Sequence, residues 1–143
     1  MRRRFLILSL LLALLWRPVL VTAQAATQSR AVFSQALPRL DGSRLQVTTV
    51  EVTYPPGGSS APHSHPCPVI GYVLKGAVRM QVKGGAPATY TAGESFYEAP
   101  NGVHLVSENA SSTEPVRFLA YFICDHDTPL SVPAPGSKTE GGK

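Results

Sequence analysis

No segment of the 143-residue chain shows sustained helical periodicity, so strands are left as its main regular element. Short stretches rich in β-branched and aromatic residues are instead separated by proline and glycine at intervals of about 8–12 residues. The chain holds 13 prolines and 12 glycines. This spacing is typical of a single all-β sandwich or barrel.

The chain also lacks a hydrophobic run long enough to span a bilayer. Its longest, residues 5–16, has 12 residues, whereas roughly 20 are needed. Arg2-Arg3-Arg4 precedes this run and Ala23-Gln24-Ala25 follows it, the pattern of a cleaved signal peptide over residues 1–25. We expect a periplasmic or extracellular protein with no stable membrane association after cleavage.

A basic cluster is absent from the predicted mature protein. The whole chain has 13 Lys and Arg against 9 Asp and Glu, but four of the arginines precede Ala25. Their removal leaves 9 basic and 9 acidic residues, scattered along the chain. We therefore expect neither a nucleic-acid partner nor electrostatic binding to an acidic membrane.

Cysteine is scarce, with Cys67 and Cys124 the only two. An exported protein enters an oxidising compartment, and two cysteines allow a single intramolecular pairing. A disulfide is the favoured interpretation. Two unreactive thiols, or Cys67 as a soft metal ligand, are the alternatives.

The predicted domain covers residues 32–126, between a flexible N-terminal tail (26–31) and a disordered C-terminal tail (127–143). Within it, β-rich composition and turn residues predict a series of short strands. These strands cover residues 32–37, 44–54, 69–74, 77–82, 89–91, 95–98, 103–106 and 116–124.

A loop dense in Pro, Gly and Ser, residues 55–67, carries the most informative motif, His63-Ser64-His65. In an extended chain residues i and i+2 face the same way, so both imidazoles would point at one spot. His104 follows the turn at Pro100-Asn101-Gly102 and would join them if the strands closed into a barrel. Three neutral imidazoles suit one divalent transition metal: Fe, Mn, Ni, Cu or Zn.

These two blocks resemble the two motifs of the cupin superfamily. In the first, a glycine precedes His-x-His by five residues, and a glutamate and a closing glycine follow; Gly57, His63, His65 and Gly76 stand at those positions. The resemblance spans about residues 44–124 and is closest to small, single-domain, cupin-2-like proteins described as quercetin-dioxygenase-like.

In the second motif, Gly93 marks the start and His104 stands at the expected distance. The resemblance implies an all-β jelly-roll barrel with His63, His65 and His104 as the metal ligands. It also implies a homodimer, because cupins of this size commonly pair through sheet edges.

The chain departs from the family motifs at several positions. Val69 occupies the glutamate position, so the usual fourth ligand is missing. In the second motif the proline falls on Ala99, the glycine on Asn101 and the asparagine on Glu108. Asparagine tolerates the left-handed conformation that such a turn needs, so we expect a locally shifted turn that still presents His104.

Glu98 is the candidate replacement for the missing glutamate. It shares a strand face with Phe96, so it points at the site if Phe96 is in the core, and into solvent if Tyr97 is. An inward Glu98 would serve as a metal ligand, as a partner of a ligand or as a general base, with Tyr72 as the second candidate for proton transfer. Glu94 is predicted to lie in a turn, and His126 to be exposed.

Aromatic and aliphatic side chains are expected to line the barrel, which favours a small ligand that is aromatic or partly apolar. The candidates are Tyr54, Tyr72, Met80, Phe96, Phe118, Tyr121 and Phe122.

Two classes of function follow from these features. The first is an exported metalloenzyme, a dioxygenase-like oxidoreductase acting on a small molecule. The second is a non-catalytic module that binds or senses a metal or a small molecule; the missing glutamate favours it. Metal-free isomerisation of a sugar or nucleotide sugar is a weaker third interpretation, because three convergent histidines argue against it.

Overall fold

A computed structural model describes residues 29–42 and 44–136 of the chain. The chain divides into two compact units, residues 1–30 and residues 31–143. The predicted signal peptide lies outside the described residues, and so does half of the predicted N-terminal tail, residues 26–28. No helix in the described part of the chain could cross a membrane.

The described residues of the second unit form nine strands, in agreement with the all-β prediction. They are β1 (Gln46–Tyr54), β2 (His63–Ser64), β3 (Val69–Lys75), β4 (Ala77–Val82), β5 (Ala88–Thr91), β6 (Ser95–Glu98), β7 (Val103–Asn109), β8 (Val116–Cys124) and β9 (Val132–Pro133).

Two antiparallel sheets share the strands. One has the order β1-β8-β3-β6 and the other the order β5-β4-β7-β2-β9. Buried residues of β3, β6 and β8 pack against Val78 and Met80 of β4, so the core lies between the two sheets. This is the arrangement of the expected jelly roll.

Alternating side chains explain which face of each strand turns inward. Along β8, residues from Val116 to Cys124 alternate between buried and more exposed positions, and β3 alternates in the same way from Val69. Gly71, between Val69 and Val73, leaves room for Phe96, whose ring would lie 2.0 Å from a Cβ atom at that position. A strand glycine here permits an aromatic ring to fill the core.

Residues 32–37 are not a strand, contrary to the sequence-based prediction. Val32 and Leu37 are exposed, and residues 31–37 pair with no strand among the described residues. Their β-branched and apolar composition gave a strand signal, but a strand forms only where another edge accepts its hydrogen bonds.

The predicted disordered tail from residue 127 is wrong for residues 132–134. Val132 and Pro133 form β9, which pairs with β2 at Ser64 and His63. The amide of Ala134 also donates to the carbonyl of Pro62 at 3.0 Å. Proline, glycine and serine gave this segment the composition of a tail, whereas its ordering comes from pairing with the histidine loop.

A disulfide joins Cys67 and Cys124, with 5.2 Å between their Cα atoms. This confirms the favoured pairing and removes Cys67 as a candidate metal ligand. The bridge ties the last residue of the histidine loop to the last residue of β8.

Candidate metal centre

Sheet register places two of the histidines opposite each other. His63 on β2 pairs with His104 on β7, and their rings stack with 5.3 Å between centroids and 17° between planes. Residues directly opposite on antiparallel strands have adjacent side chains on one face. Two histidines 41 positions apart in the chain are thereby brought together.

His65 joins them from just beyond β2. Its ring lies 4.8 Å from that of His63 and 5.7 Å from that of His104, between centroids. Its backbone carbonyl accepts a 2.7 Å hydrogen bond from the amide of Asn101. Asn101 has a φ of 61°, so the left-handed turn expected here is confirmed. This turn links His65 to the segment that leads into His104.

Glu98, the last residue of β6, turns inward as Phe96 does. It is 7% exposed, and its Oε2 atom lies 3.2 Å from Nε2 of His65 and 3.1 Å from Nε2 of His104. In the sheet it stands directly opposite Val69. The carboxylate absent from the family's position on β3 is therefore supplied by the neighbouring residue across the strand pair.

The donor atoms of His65, Glu98 and His104 have the spacing of ligands around one ion. All three lie within 4.8 Å of one another. Two ligand atoms at about 2.1 Å from a common ion are separated by about 3.0 Å at right angles and about 3.4 Å at tetrahedral angles. The observed 3.1 and 3.2 Å separations fall between these values.

Unsatisfied polar atoms support the same interpretation. Oε2 of Glu98 and both ring nitrogens of His104 are buried without a hydrogen-bond partner among the described residues. Burying such atoms alone is unfavourable. A cation bound between Oε2 and the Nε2 atoms would satisfy two of the three, so the residues present fit a divalent transition metal.

Backbone carbonyls orient two of the imidazoles. Nδ1 of His63 donates to the carbonyl of Ala61, and Nδ1 of His65 donates to that of Leu130, each at 2.7 Å. With the proton held on Nδ1, the Nε2 lone pair is free for a ligand. Burial lowers the pKa of His63, and His65 and His104 lower it further, so its imidazole is neutral near pH 7.

His63 is the most peripheral member of the group. It is half-buried, and it is not among the three residues whose ligand atoms lie within 4.8 Å of one another. Its ring nevertheless contacts those of His65 and His104. The structure thus brings together all three predicted histidines and Glu98, with His65, Glu98 and His104 forming the tightest set.

Two cavities flank this cluster. The inner cavity, of about 70 Å³, is bounded by His63, His65 and Glu98 together with Tyr54 and Ser107. The outer cavity, of about 110 Å³, is bounded by Glu98 and His104 and by apolar residues of β4, β5 and β6. Glu98 and Met80 border both cavities.

Tyr72 was predicted for proton transfer, and the structure places it elsewhere. On β3 the buried residues are Val69, Gly71 and Val73, so Tyr72 points away from the barrel interior. It borders neither flanking cavity. By the same alternation Tyr121 on β8 faces outward, between Ala120 and Phe122.

Tyr54 is the tyrosine that borders the inner cavity. Its hydroxyl lies 3.1 Å from Oγ of Ser107, and both residues border the inner cavity. Of the other expected lining residues, Met80, Phe118 and Phe122 border the inner cavity, and Met80 and Phe96 the outer one. His126 is exposed, and Glu94 accepts hydrogen bonds from Thr91 in a turn, as predicted.

Sequence reasoning missed Ser107 and the carbonyl of Leu130. Ser107 is three positions after His104 on β7, a strand that was predicted to end at residue 106. Leu130 lies in the segment taken for a tail, where Leu130 and Val132 are isolated apolar residues. Those two residues were the available signal that the segment packs against the domain.

The comparisons with known proteins agree with this fold. A model of the cupin domain matches residues 50–122. A cupin-like protein from Thermotoga maritima is 26% identical with a TM-score of 0.56, and the match covers 66% of this chain and 68% of that one. No curated protein matches the chain.

Two groups of larger enzymes also share the fold. A mutant of Bacillus subtilis oxalate decarboxylase is 29% identical with a TM-score of 0.53, over 61% of this chain and 23% of the enzyme. A second structure of that enzyme, 32% identical with a TM-score of 0.51 over the same shares, concerns its Mn(II) centers. A DMSP lyase from Ruegeria pomeroyi is 21% identical with a TM-score of 0.55, over 67% of this chain and 45% of the lyase.

The chain therefore spans under half of each of those two enzymes, and the lyase supports the fold alone. The cupin-domain match covers half of this chain, its range includes all three histidines of the cluster, and the two sheets agree with it. The chain belongs to the cupin family.

Proposed function

We propose that this protein is an exported, metal-dependent cupin that acts on a small organic molecule as a dioxygenase-like oxidoreductase. His65, His104 and Glu98 would hold one divalent transition metal, with His63 as the fourth ligand. The carrying observation is the set of buried, unpartnered donor atoms centred on Oε2 of Glu98. Manganese is one candidate, because a solved oxalate decarboxylase with a similar fold has Mn(II) centers.

The donor set favours retention of a divalent ion. Three neutral imidazoles and one carboxylate would leave a net positive charge on the site, which attracts an oxygen or sulfur donor from a substrate. When bound, the ion would supply Lewis-acid or redox chemistry. The surrounding apolar side chains, Val69, Phe118 and Phe122 among them, would limit the access of water and strengthen these interactions.

Proton transfer is assigned to groups beside the cluster. The hydroxyl of Tyr54, within 3.1 Å of Ser107 Oγ, borders the same cavity as His63 and His65. It would pass a proton to or from the cluster across the inner cavity, the role predicted for Tyr72. Glu98 would hold the ion and not act as a free base, because its Oε2 atom is directed at two imidazoles.

A second candidate, a non-catalytic binding module, is favoured by the closeness of the ligands. Four protein ligands complete a tetrahedral site, and closed sites of that kind are structural. The inner cavity, about 70 Å³, leaves little room beside the cluster. The two candidates differ in whether a bound ion keeps a position open to water or substrate.

Elemental analysis of the purified protein tests the metal site. We expect close to one equivalent of a transition metal in the wild-type protein, with a large loss in His104→Ala and in Glu98→Gln. His126→Ala is the matched control, because His126 is exposed and paired with Asp125. A wild-type protein that neither retains nor takes up metal would refute the proposal.

Oxygen uptake with phenolic and thiol substrates then separates enzyme from binding module. Turnover that is lost in His104→Ala supports the enzyme. A fully loaded protein whose ion exchanges no water, measured by nuclear relaxation with Mn(II), supports the module. Export is tested separately by sequencing the N-terminus of the mature protein, which we expect to begin after Ala25.

A further inference from the structure

The outer cavity connects the protein surface to the histidine cluster. At its rim lie Gly85, Ala86 and Ala88, which are exposed. At its base lie Glu98 and His104, which are 7% and 2% exposed. A molecule entering between the β4–β5 turn and β6 would therefore reach the buried donor atoms directly.

The walls of this cavity are apolar. Met80, Val82, Tyr90 and Phe96 border it, and the rings of Tyr90 and Phe96 lie 5.2 Å apart. No lysine or arginine is among the described residues that border it. The charged side chain at its base, Glu98, is an acid.

This lining favours uncharged molecules over anions. Placing a carboxylate among these largely apolar walls, with no lysine or arginine to pair with it, carries a desolvation cost. In the metal-free protein, the carboxylate of Glu98 would add repulsion. An uncharged molecule with one oxygen, nitrogen or sulfur donor would place that donor toward the cluster and its carbon atoms against Met80 and Phe96.

The volume of the outer cavity further limits which molecules can bind. A cavity of about 150 Å³ holds benzene in another protein, so 110 Å³ suits a slightly smaller molecule. A five-membered ring or a short branched chain would fill the space. A larger substrate would have to extend past Ala86 and Ala88 into solvent.

We propose that the outer cavity is the substrate-binding site and that its walls, apart from any bond to a metal, favour small, uncharged, partly apolar molecules over carboxylates. The assignment of the bound molecule as a substrate rests on the proposed metal-dependent function. The selection by charge and size depends on the walls alone and is testable without metal.

Binding of pyrazole and of propionate to the purified full-length protein tests this selection. The two probes have the same number of heavy atoms, and at pH 7 the first is neutral and the second anionic. The methyl group of Met80 is the NMR reporter, because Met80 and Met1 are the two methionines of the chain. Titrations are made in the presence of EDTA, so that neither probe can bind through a metal.

Ala88→Phe and Thr89→Phe form a matched pair of variants. Ala88 is exposed at the cavity rim, so a phenyl group there obstructs the entrance without replacing a buried residue. Thr89 is exposed on the opposite face of β5 and does not border the cavity. Both substitutions add the same ring to the same strand, so a shared effect on folding would appear in both.

We expect pyrazole to shift the Met80 methyl resonance saturably, and propionate to bind at least about tenfold more weakly. Ala88→Phe should weaken pyrazole binding about tenfold, and Thr89→Phe should leave it within about twofold. Equal binding of the two probes, or equal effects of the two variants, would overturn the proposal.

The result of the pyrazole test can be distinguished from the result of the metal analysis. If the protein takes up no metal but pyrazole binds as expected, the metal-dependent function fails and the cavity assignment holds. If metal is retained but pyrazole does not bind, or Ala88→Phe has no effect, the cavity assignment fails and the metal centre stands.

Discussion

The two ends of the barrel core are stabilised in different ways. At the apolar end, Val73, Val78, Met80, Phe96, Val116 and Phe118 come from β3, β4, β6 and β8 and fill the space between the sheets. At the disulfide end, the buried residues are Val69 of β3, three residues of β8 and one residue two positions before β3: Cys67, Val69, Ala120, Phe122 and Cys124. Across from them the second sheet presents histidines.

The difference shows how a small barrel accommodates a polar site. His65 packs against Phe122, with 5.1 Å between ring centroids, but His65, Glu98 and His104 replace the aliphatic side chains that would otherwise complete this end. The covalent bridge between Cys67 and Cys124 supplies stability there. Packing holds one end, and a cross-link together with a bound ion would hold the other.

The largest expected effect on stability is at the apolar end. Phe118→Ala should lower the free energy of unfolding by about 3–5 kcal/mol, because the ring is buried among residues of both sheets and leaves a cavity. Phe122→Ala, at the disulfide end, is the matched variant and should cost less. Urea unfolding measures both, and equal losses would break the distinction between the two ends.

Removal of the cross-link should have the next largest effect. The Cys67→Ala/Cys124→Ala double variant releases a bridge between residues 57 apart in sequence, which should cost about 2–4 kcal/mol. We also expect weaker metal binding, because Cys67 is two positions after His65. Urea unfolding and a metal titration give the two readouts. Unchanged stability would show that packing suffices at this end.

Exchanging the residues at positions 98 and 69 tests whether the carboxylate must come from β6 or can come from β3. Glu98→Val should weaken metal binding by about a hundredfold, since Oε2 of Glu98 is the centre of the cluster. Val69→Glu combined with Glu98→Val returns a carboxylate to the position opposite and should restore much of the affinity. Competition with a chelator measures both variants, and failure of the exchange would mean that only β6 aims a carboxylate correctly.

The smallest expected effect is a pH dependence at the disulfide end. Burial lowers the pKa of His63 below its ordinary value of 6.5, so just below pH 6.5 the unfolded chain binds more protons than the folded one. The unfolding free energy of the metal-free protein should therefore fall as pH drops through 6.5, and level off below the folded-state pKa. Thermal unfolding at several pH values measures this. His63→Gln should flatten the dependence, and an unchanged profile would exclude His63 as its source.

Much of the fold follows from the sequence, because alternation and turn residues are local signals. The bounds of β4, β6 and β8 agree with the predicted ranges. The two-residue strands β2 and β9 carry no periodic signal, since their pairing depends on contacts between distant parts of the chain. Residues 32–37 are the opposite case: their composition is typical of a strand, but no described strand pairs with them.

The histidines of the site were predictable from the two motifs. The inward orientation of Glu98 was predictable from the strand face that it shares with Phe96. The orientation of Tyr72 was not, because alternation gives two faces and leaves open which one turns inward until the strand is paired. The carbonyl of Leu130 was out of reach for a different reason: any residue supplies a carbonyl, so only the folded path of the chain reveals its role.

Because the carbonyl of Leu130 orients His65, the site can form only after this late part of the chain is in place. His65 donates its orienting hydrogen bond to the carbonyl of residue 130, and residues 132–133 form the second strand that pairs with β2. During synthesis, and during any passage of the chain through a membrane, the imidazoles acquire their final positions only after residue 133 has emerged. Loading with a metal would then be a late event, governed by the ions of the compartment where the chain completes its fold.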